Sequence, residues 1–238
     1  MKTIGLIGGM SWHSTVEYYR LINQDVHRRF GGHHSAKILL SSLDFAEIRA
    51  MQQSGSWDLA GETLAGAGRG LEQAGADMLL ICTNLMHKVA EDVEHATTVP
   101  LLHIADAAGA AAAERGFSRL GVLATRWVME EDFYRSRLAR HGVDTVVPGA
   151  EDREMVDRVI FDELTQGVVR EPSKAAYVAT IERLAEAGAE AVLLGCTEIQ
   201  LLVSPDDSPL PLIDSTAVHA ARAVELAVDP VPAVHATA

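Results

Sequence analysis

The chain has 238 residues, 48% of them hydrophobic and 22% charged, enough for one large or two small domains with a substantial core. A formal net charge of −13 argues against nucleic acid and anionic membrane surfaces as partners. No apolar run approaches the ~18 residues of a membrane span, and two cysteines outside any secretory context predict reduced thiols in the cytoplasm.

Residues 3–9 read as a strand, followed by a helix over 14–29, a strand over 37–43, a helix over 56–74, a strand over 77–82 and a helix over 85–96. A second block continues with a strand over 101–103, a helix over 106–115, a strand over 119–124, a helix over 130–141 and a strand over 143–147. Helices over 151–166 and 172–187, a strand over 191–195, a helix over 197–203, a strand near 211–214 and a helix over 215–227 complete it. Short apolar runs alternating with helices predict βαβ units and an α/β fold with mostly parallel sheets covered on both faces. Breaks near Val99-Pro100 and 205–211 suggest residues 1–99 plus 209–228 as one lobe and 100–208 as another, with a flexible tail at 229–238.

Two segments are near copies. Residues 74–86 read AGADMLLICTNLM and residues 187–199 read AGAEAVLLGCTEI. Aligned without a gap, Ala74-Gly75-Ala76 matches Ala187-Gly188-Ala189, Thr83 falls opposite Cys196, and Cys82 falls opposite Gly195. Slipping by one residue pairs the cysteines but breaks the Ala-Gly-Ala match and reverses the side-chain parity of the strand. Ile4-Gly5-Leu6-Ile7-Gly8 also matches Leu120-Gly121-Val122-Leu123-Ala124, and the same offset sets Tyr18 on Tyr134. Two pseudo-symmetric lobes follow, with equivalent side chains facing one cleft.

Ligands of open α/β sheets bind beyond the carboxyl ends of the strands. Those ends carry Gly8-Gly9-Met10-Ser11, Ser41-Ser42, Cys82-Thr83-Asn84, Thr125 and Cys196-Thr197-Glu198. Cys196, at the first turn of the expected helix, would feel exposed N–H groups that favour a thiolate. Cys82, in the glycine position of the repeat, is expected to pack or to support the site. His87, on the following helix, fits either support or helix surface.

GLIGGMSW at the start, CTNLMHK at 82–88 and GCTEI at 195–199 resemble the pyridoxal-independent aspartate/glutamate racemase family along nearly the whole chain. The resemblance implies two pseudo-symmetric α/β lobes, each a mostly parallel sheet flanked by helices, and an active site in the cleft between them. It also implies no cofactor, an amino-acid substrate, two opposed proton-transfer residues and a homodimer. The first of the pair, usually a cysteine, falls on Thr83 and the second on Cys196, so the catalytic pair expected here is Thr83 and Cys196. Substrate contacts are expected at Met10, Ser11, Gln52, Asn84, Leu85, Thr125, Thr197 and Glu198, with Arg49 and Arg126 as weaker candidates. Leu85, Val128 and Thr165 depart from family positions that more often carry a hydroxyl, a second hydroxyl and a lysine, which leaves open which amino acid is preferred.

Gly5-Leu6-Ile7-Gly8-Gly9 is neither a dinucleotide fingerprint nor a P-loop, His27, His33 and His34 have no metal-site spacing, and none of the four lysines has a pyridoxal context. The leading expectation is a cofactor-independent racemase acting on aspartate or glutamate. A single-cysteine arylmalonate-type decarboxylase, a hydantoin racemase or a non-catalytic ligand-binding relative would suit the same scaffold.

Overall fold

The computed structural model describes residues 1–228, so the tail expected at 229–238 lies outside the described residues. Strands β1 (Ile4–Gly8), β2 (Ile38–Ser42), β3 (Met78–Ile81) and β4 (Leu101–Leu102) form a parallel sheet in the order β2-β1-β3-β4. Strands β5 (Arg119–Ala124), β6 (Asp144–Val146), β7 (Ala191–Gly195) and β8 (Leu212–Asp214) form a second in the order β6-β5-β7-β8. The α/β class and the pair of parallel sheets flanked by helices agree with the expectation. The inner strands β1, β3 and β7 are buried at every position, as sheets covered on both faces require.

The sheets share a register as well as an order. Ile4 pairs with Met78 and Leu120 with Ala191, which is the pairing that the gap-free repeat demands. The edge strands enter alike: the Leu79 N–H donates to the Pro100 carbonyl and the Val192 N–H to the Pro211 carbonyl, each at 2.9 Å. Gly9 turns the chain out of β1 at φ 87°, where an added Cβ would lie 2.1 Å from the Leu43 carbonyl oxygen.

Helices α1 (Trp12–Phe30), α2 (Phe45–Ser54), α3 (Trp57–Gln73) and α4 (Ala90–Ala96) belong to the first half of the chain. The second half carries α5 (Ile104–Glu114), α6 (Arg126–Glu130), α7 (Asp132–Ala139), α8 (Ala150–Asp162), α9 (Glu171–Glu186) and α10 (Ser215–Ala227). Ile104, Ala105, Ala108 and Ala112 of α5 join the core of the second sheet, while Ala220, Ala223 and Val224 of α10 pack with Ile4, Leu6 and Tyr18 of the first.

This corrects the proposed lobe limits at two strands. Residues 101–102 pair with the first sheet rather than with lobe 100–208, and residues 212–214 pair with the second rather than with the first. Each edge strand completes the sheet of the strand before it. The chain crosses only afterwards, between β4 and α5 and between β8 and α10.

Other boundaries also move. The helix expected over 130–141 breaks between α6 and α7 at Glu131, and that over 85–96 opens with a 3₁₀ turn at Leu85–Val89. The helix expected over 197–203 is reduced to a 3₁₀ turn at Ile199–Leu201. Helix α2 was not expected, although Asp44 caps its start by accepting from the Ala46 N–H and left-handed Gly55 ends it.

Candidate active site

Thr83 follows β3 and Cys196 follows β7, at equivalent positions of the two sheets. Each is partly exposed between buried neighbours, Cys82 and Asn84 on one side and Gly195 and Thr197 on the other. Both line one cleft, together with Met10, Ser11, Ser14, Phe45, Gln52, Leu85, Thr125, Ile160, Phe161, Thr165 and Glu198. The strand ends thus bring a hydroxyl and a thiol to a shared space.

A polar cluster ties Cys196 to the opposite sheet. Its thiol donates to Glu198 Oε2 at 3.1 Å, and the Thr197 hydroxyl donates to the same oxygen at 2.5 Å. Glu198 Oε1 accepts from Ser11 at 2.8 Å and lies 3.0 Å from the Ser14 hydroxyl, which also contacts Thr197 Oγ1. Ser11 sits at the N-cap of α1, beyond a cis Met10–Ser11 peptide. Burial and then the Glu198 charge push the Cys196 thiol well above its ordinary pKa. The helix dipole expected to favour a thiolate is reduced to a three-residue turn, and a carboxylate stands beside the sulfur, both of which oppose ionisation of Cys196.

Cys82 is fully buried among Ile4, Leu6, Tyr18 and Leu80, and burial raises its thiol pKa. It does not line the cleft. Neither does His87, whose Nδ1–H donates to the Thr83 carbonyl at 2.8 Å while Nε2 accepts from the Ile104 N–H at 3.2 Å. Asn84 also stands behind the cleft: its Oδ1 accepts from Tyr134 at 2.8 Å and its Nδ2 donates to Ser215 at 3.0 Å. Thr197 spends its hydroxyl on Glu198.

Of the expected substrate contacts, Met10, Ser11, Gln52, Leu85, Thr125 and Glu198 line the cleft, and Asn84 and Thr197 do not. Among the described residues the buried Thr125 Oγ1 has no hydrogen-bond partner, which leaves a donor for a ligand. Gln52 is engaged, its Nε2 directed at Met86 Sδ at 3.2 Å and its Oε1 accepting from Arg49 at 3.3 Å. The Arg49 guanidinium lies 3.6 Å from the centre of the Phe161 ring, across the cleft from its own lobe. Arg126 is exposed, and Val128 lies outside the cleft.

Ser14, Phe45, Ile160 and Phe161 were not anticipated. Ser14 alone left a signal, three residues after Ser11 on the same helical face. Among the described residues no group of three or more His, Cys, Asp or Glu side chains could hold a metal.

The repeated sheets, the interlobe cleft and the thiol and hydroxyl at equivalent strand ends define a two-lobed enzyme scaffold. The chain belongs to the Asp/Glu/hydantoin racemase family, whose model matches residues 7–223. A solved Yersinia pestis protein, provisionally named an Asp/Glu racemase, is 47% identical, with a TM-score of 0.91 over 96% of this chain and 100% of that one. An aspartate racemase homologue from Pyrococcus horikoshii OT3 is 32% identical, with a TM-score of 0.82 over 96% and 100%. Picrophilus torridus aspartate racemase shares the fold at 21% identity and a TM-score of 0.75, covering 95% and 94%.

Proposed function

We propose that the protein is a pyridoxal-independent amino-acid racemase, with aspartate and glutamate as its substrates. The observation that carries this reading is the placement of Thr83 and Cys196 at equivalent strand ends lining one cleft. Racemisation needs one group to remove the α-proton and another to return a proton to the opposite face, and a duplicated sheet end supplies two such positions. Cys196, as thiolate, takes the proton from one face; Thr83 delivers one to the other, directly or through water. A hydroxyl holds its proton far more tightly than a thiol, so proton abstraction on the Thr83 face is the harder direction.

The substrate α-carboxylate is met by Thr125 Oγ1 and by backbone N–H groups following β3 and β7. A side-chain carboxylate is drawn toward Arg49, which does not itself line the cleft but packs its guanidinium over the cleft residue Phe161. None of the four lysines lines the cleft, so a pyridoxal aldehyde would find no Schiff-base partner there. Both cysteines are free thiols, which suits the cytoplasm, and in this reading the working unit is a homodimer.

Deuterium incorporation at Cα in D₂O, scanned over L- and D-amino acids, tests the reading. Incorporation into aspartate or glutamate that disappears in Cys196→Ala supports it. Loss of CO₂ from an arylmalonate without Cα exchange would select the decarboxylase, exchange only at a hydantoin carbon the hydantoin racemase, and thermal stabilisation by amino acids without turnover a binding protein.

A further inference from the structure

The carboxylate of Glu198 is saturated. Ser11 on one oxygen, Thr197 and the Cys196 thiol on the other, and the adjoining Ser14 hydroxyl leave little capacity for a substrate ammonium group. Glu198 is also only 5% exposed. Three hydroxyls, two of them from the opposite lobe, fix this buried carboxylate and hold its Oε2 beside the sulfur. Its influence on the cleft therefore runs through Cys196.

We propose, on the racemase reading of the cleft, that Glu198 is the positioning residue that keeps Cys196 an aimed, protonated thiol, rather than a contact for the substrate. The hydrogen bond fixes the direction of the sulfur, and the fixed negative charge opposes a second one on it. The resting enzyme then carries a proton on both faces, on Cys196 Sγ and on Thr83 Oγ1. Before Cys196 can accept the Cα proton, its own proton must leave to water. The thiolate then bonds to the α-hydrogen while the C–H electron pair stays on carbon. Thr83 protonates that carbon from the other side and regains its proton from water, so the cycle closes without another reactant.

Other titratable groups do not supplant Glu198. Asp157 on α8 acts on Cys196 in the same direction but as a weaker influence, and burial keeps the Tyr177 phenol of α9 protonated. From the first lobe, the groups contacting the cluster are the neutral hydroxyls of Ser11 and Ser14. Arg49 faces Asp157 and Asp162 instead.

The test is the pH dependence of Cys196 alkylation by iodoacetamide, read by mass spectrometry on its peptide, alongside the pH dependence of kcat/KM for Cα exchange. Glu198→Gln should move both midpoints down by about one pH unit or more. Alkylation at neutral pH should rise about tenfold, since a unit of midpoint is a factor of ten in thiolate. Glu198→Asp, which keeps the charge, should hold its midpoints nearer the wild type. Glu198→Ala admits water to the hydroxyls and provides a second charge-free variant that must shift the same way. A purely structural role would lower rates at every pH with the midpoints unmoved, and that result overturns the proposal. If the wild type exchanges no amino acid, the racemase reading fails, while the alkylation midpoints still decide the role of Glu198.

Discussion

His87 holds Thr83 by its backbone: the imidazole Nδ1–H donates to the Thr83 carbonyl at 2.8 Å, and Nε2 accepts from the Ile104 N–H at 3.2 Å. Both nitrogens are thereby assigned in a neutral ring. Burial, reinforced by the neighbouring His103 and His219, pushes its pKa well below the ordinary value. The ring joins the end of β3 to the start of α5 and fixes the backbone of the turn that carries Thr83.

His87→Ala should therefore strand a buried carbonyl and a buried N–H as well as opening a cavity. The expected loss is about 2–4 kcal/mol, read as a fall of roughly 5–10 °C in Tm. Racemisation should fall with KM little changed. Unaltered Tm and kcat would show that the ring does not hold the turn.

His219 gives a pH dependence with a defined sign. Its Nε2–H donates to the Leu102 carbonyl at 2.9 Å, its Nδ1 accepts from Tyr18 at 2.7 Å, and burial lowers its pKa from 6.5 to about 4. The unfolded chain then binds a proton that the folded chain refuses. Stability is full above pH 6.5 and declines as pH falls toward 4, by about 3 kcal/mol from this residue. His103, lowered to about 3, acts in the same direction. Melting curves between pH 7 and about 4.5 check this; a flat Tm over that window contradicts it.

The repeated strands were legible because apolar runs and Ala-Gly-Ala turns survive in sequence, and the sheet registers match them. The place of Thr83 at a strand end facing the cleft was legible for the same reason, since its counterpart in the repeat is Cys196. Helix α2 has capping signals at Asp44 and Gly55 but buries only Ile48 and Gln52, so its apolar periodicity is too weak to announce it. The allegiance of Leu101–Leu102 and Leu212–Asp214 is a tertiary choice between two equally apolar sheet edges, and no local pattern encodes it. The Ser11–Ser14–Glu198 cluster joins residues from opposite ends of the chain, so only the fold reveals it.

The two cysteines should separate cleanly. Cys82→Ala removes a sulfur from a packed core and should cost about 1–2 kcal/mol while most Cα exchange survives. Cys196→Ala should leave Tm nearly unchanged and abolish exchange. Equal loss of exchange from both would mean that the slipped alignment, with Cys82 as the first base, describes the site.

Arg49 bears on substrate choice. Arg49→Met keeps bulk against Phe161 but removes the charge, so KM for aspartate and glutamate should rise about tenfold or more, the equivalent of ~1.4 kcal/mol. KM for alanine or serine, where turned over, should change much less. A uniform change across acidic and neutral amino acids would make Arg49 a closure contact rather than a specificity determinant.

Thr83→Cys should retain racemisation or increase it, because a thiolate is far more accessible near neutral pH than an alkoxide. The new sulfur replaces a hydroxyl and a methyl group of similar bulk. Loss of activity in a well-folded Thr83→Cys protein would mean that the hydroxyl has a part that a thiol cannot take.

The most direct measurement follows both the deuterium label and the configuration at Cα, for each enantiomer of aspartate in D₂O, in wild type, Thr83→Ala and Cys196→Ala. The opposed-pair account predicts label with inversion in the wild type. It predicts label with retention, and no inversion, for the one enantiomer whose α-hydrogen faces Cys196 in Thr83→Ala, and neither label nor inversion in Cys196→Ala. Racemisation at the wild-type rate in Thr83→Ala would contradict it, leaving Thr83 as a turn residue and the second proton to come from elsewhere.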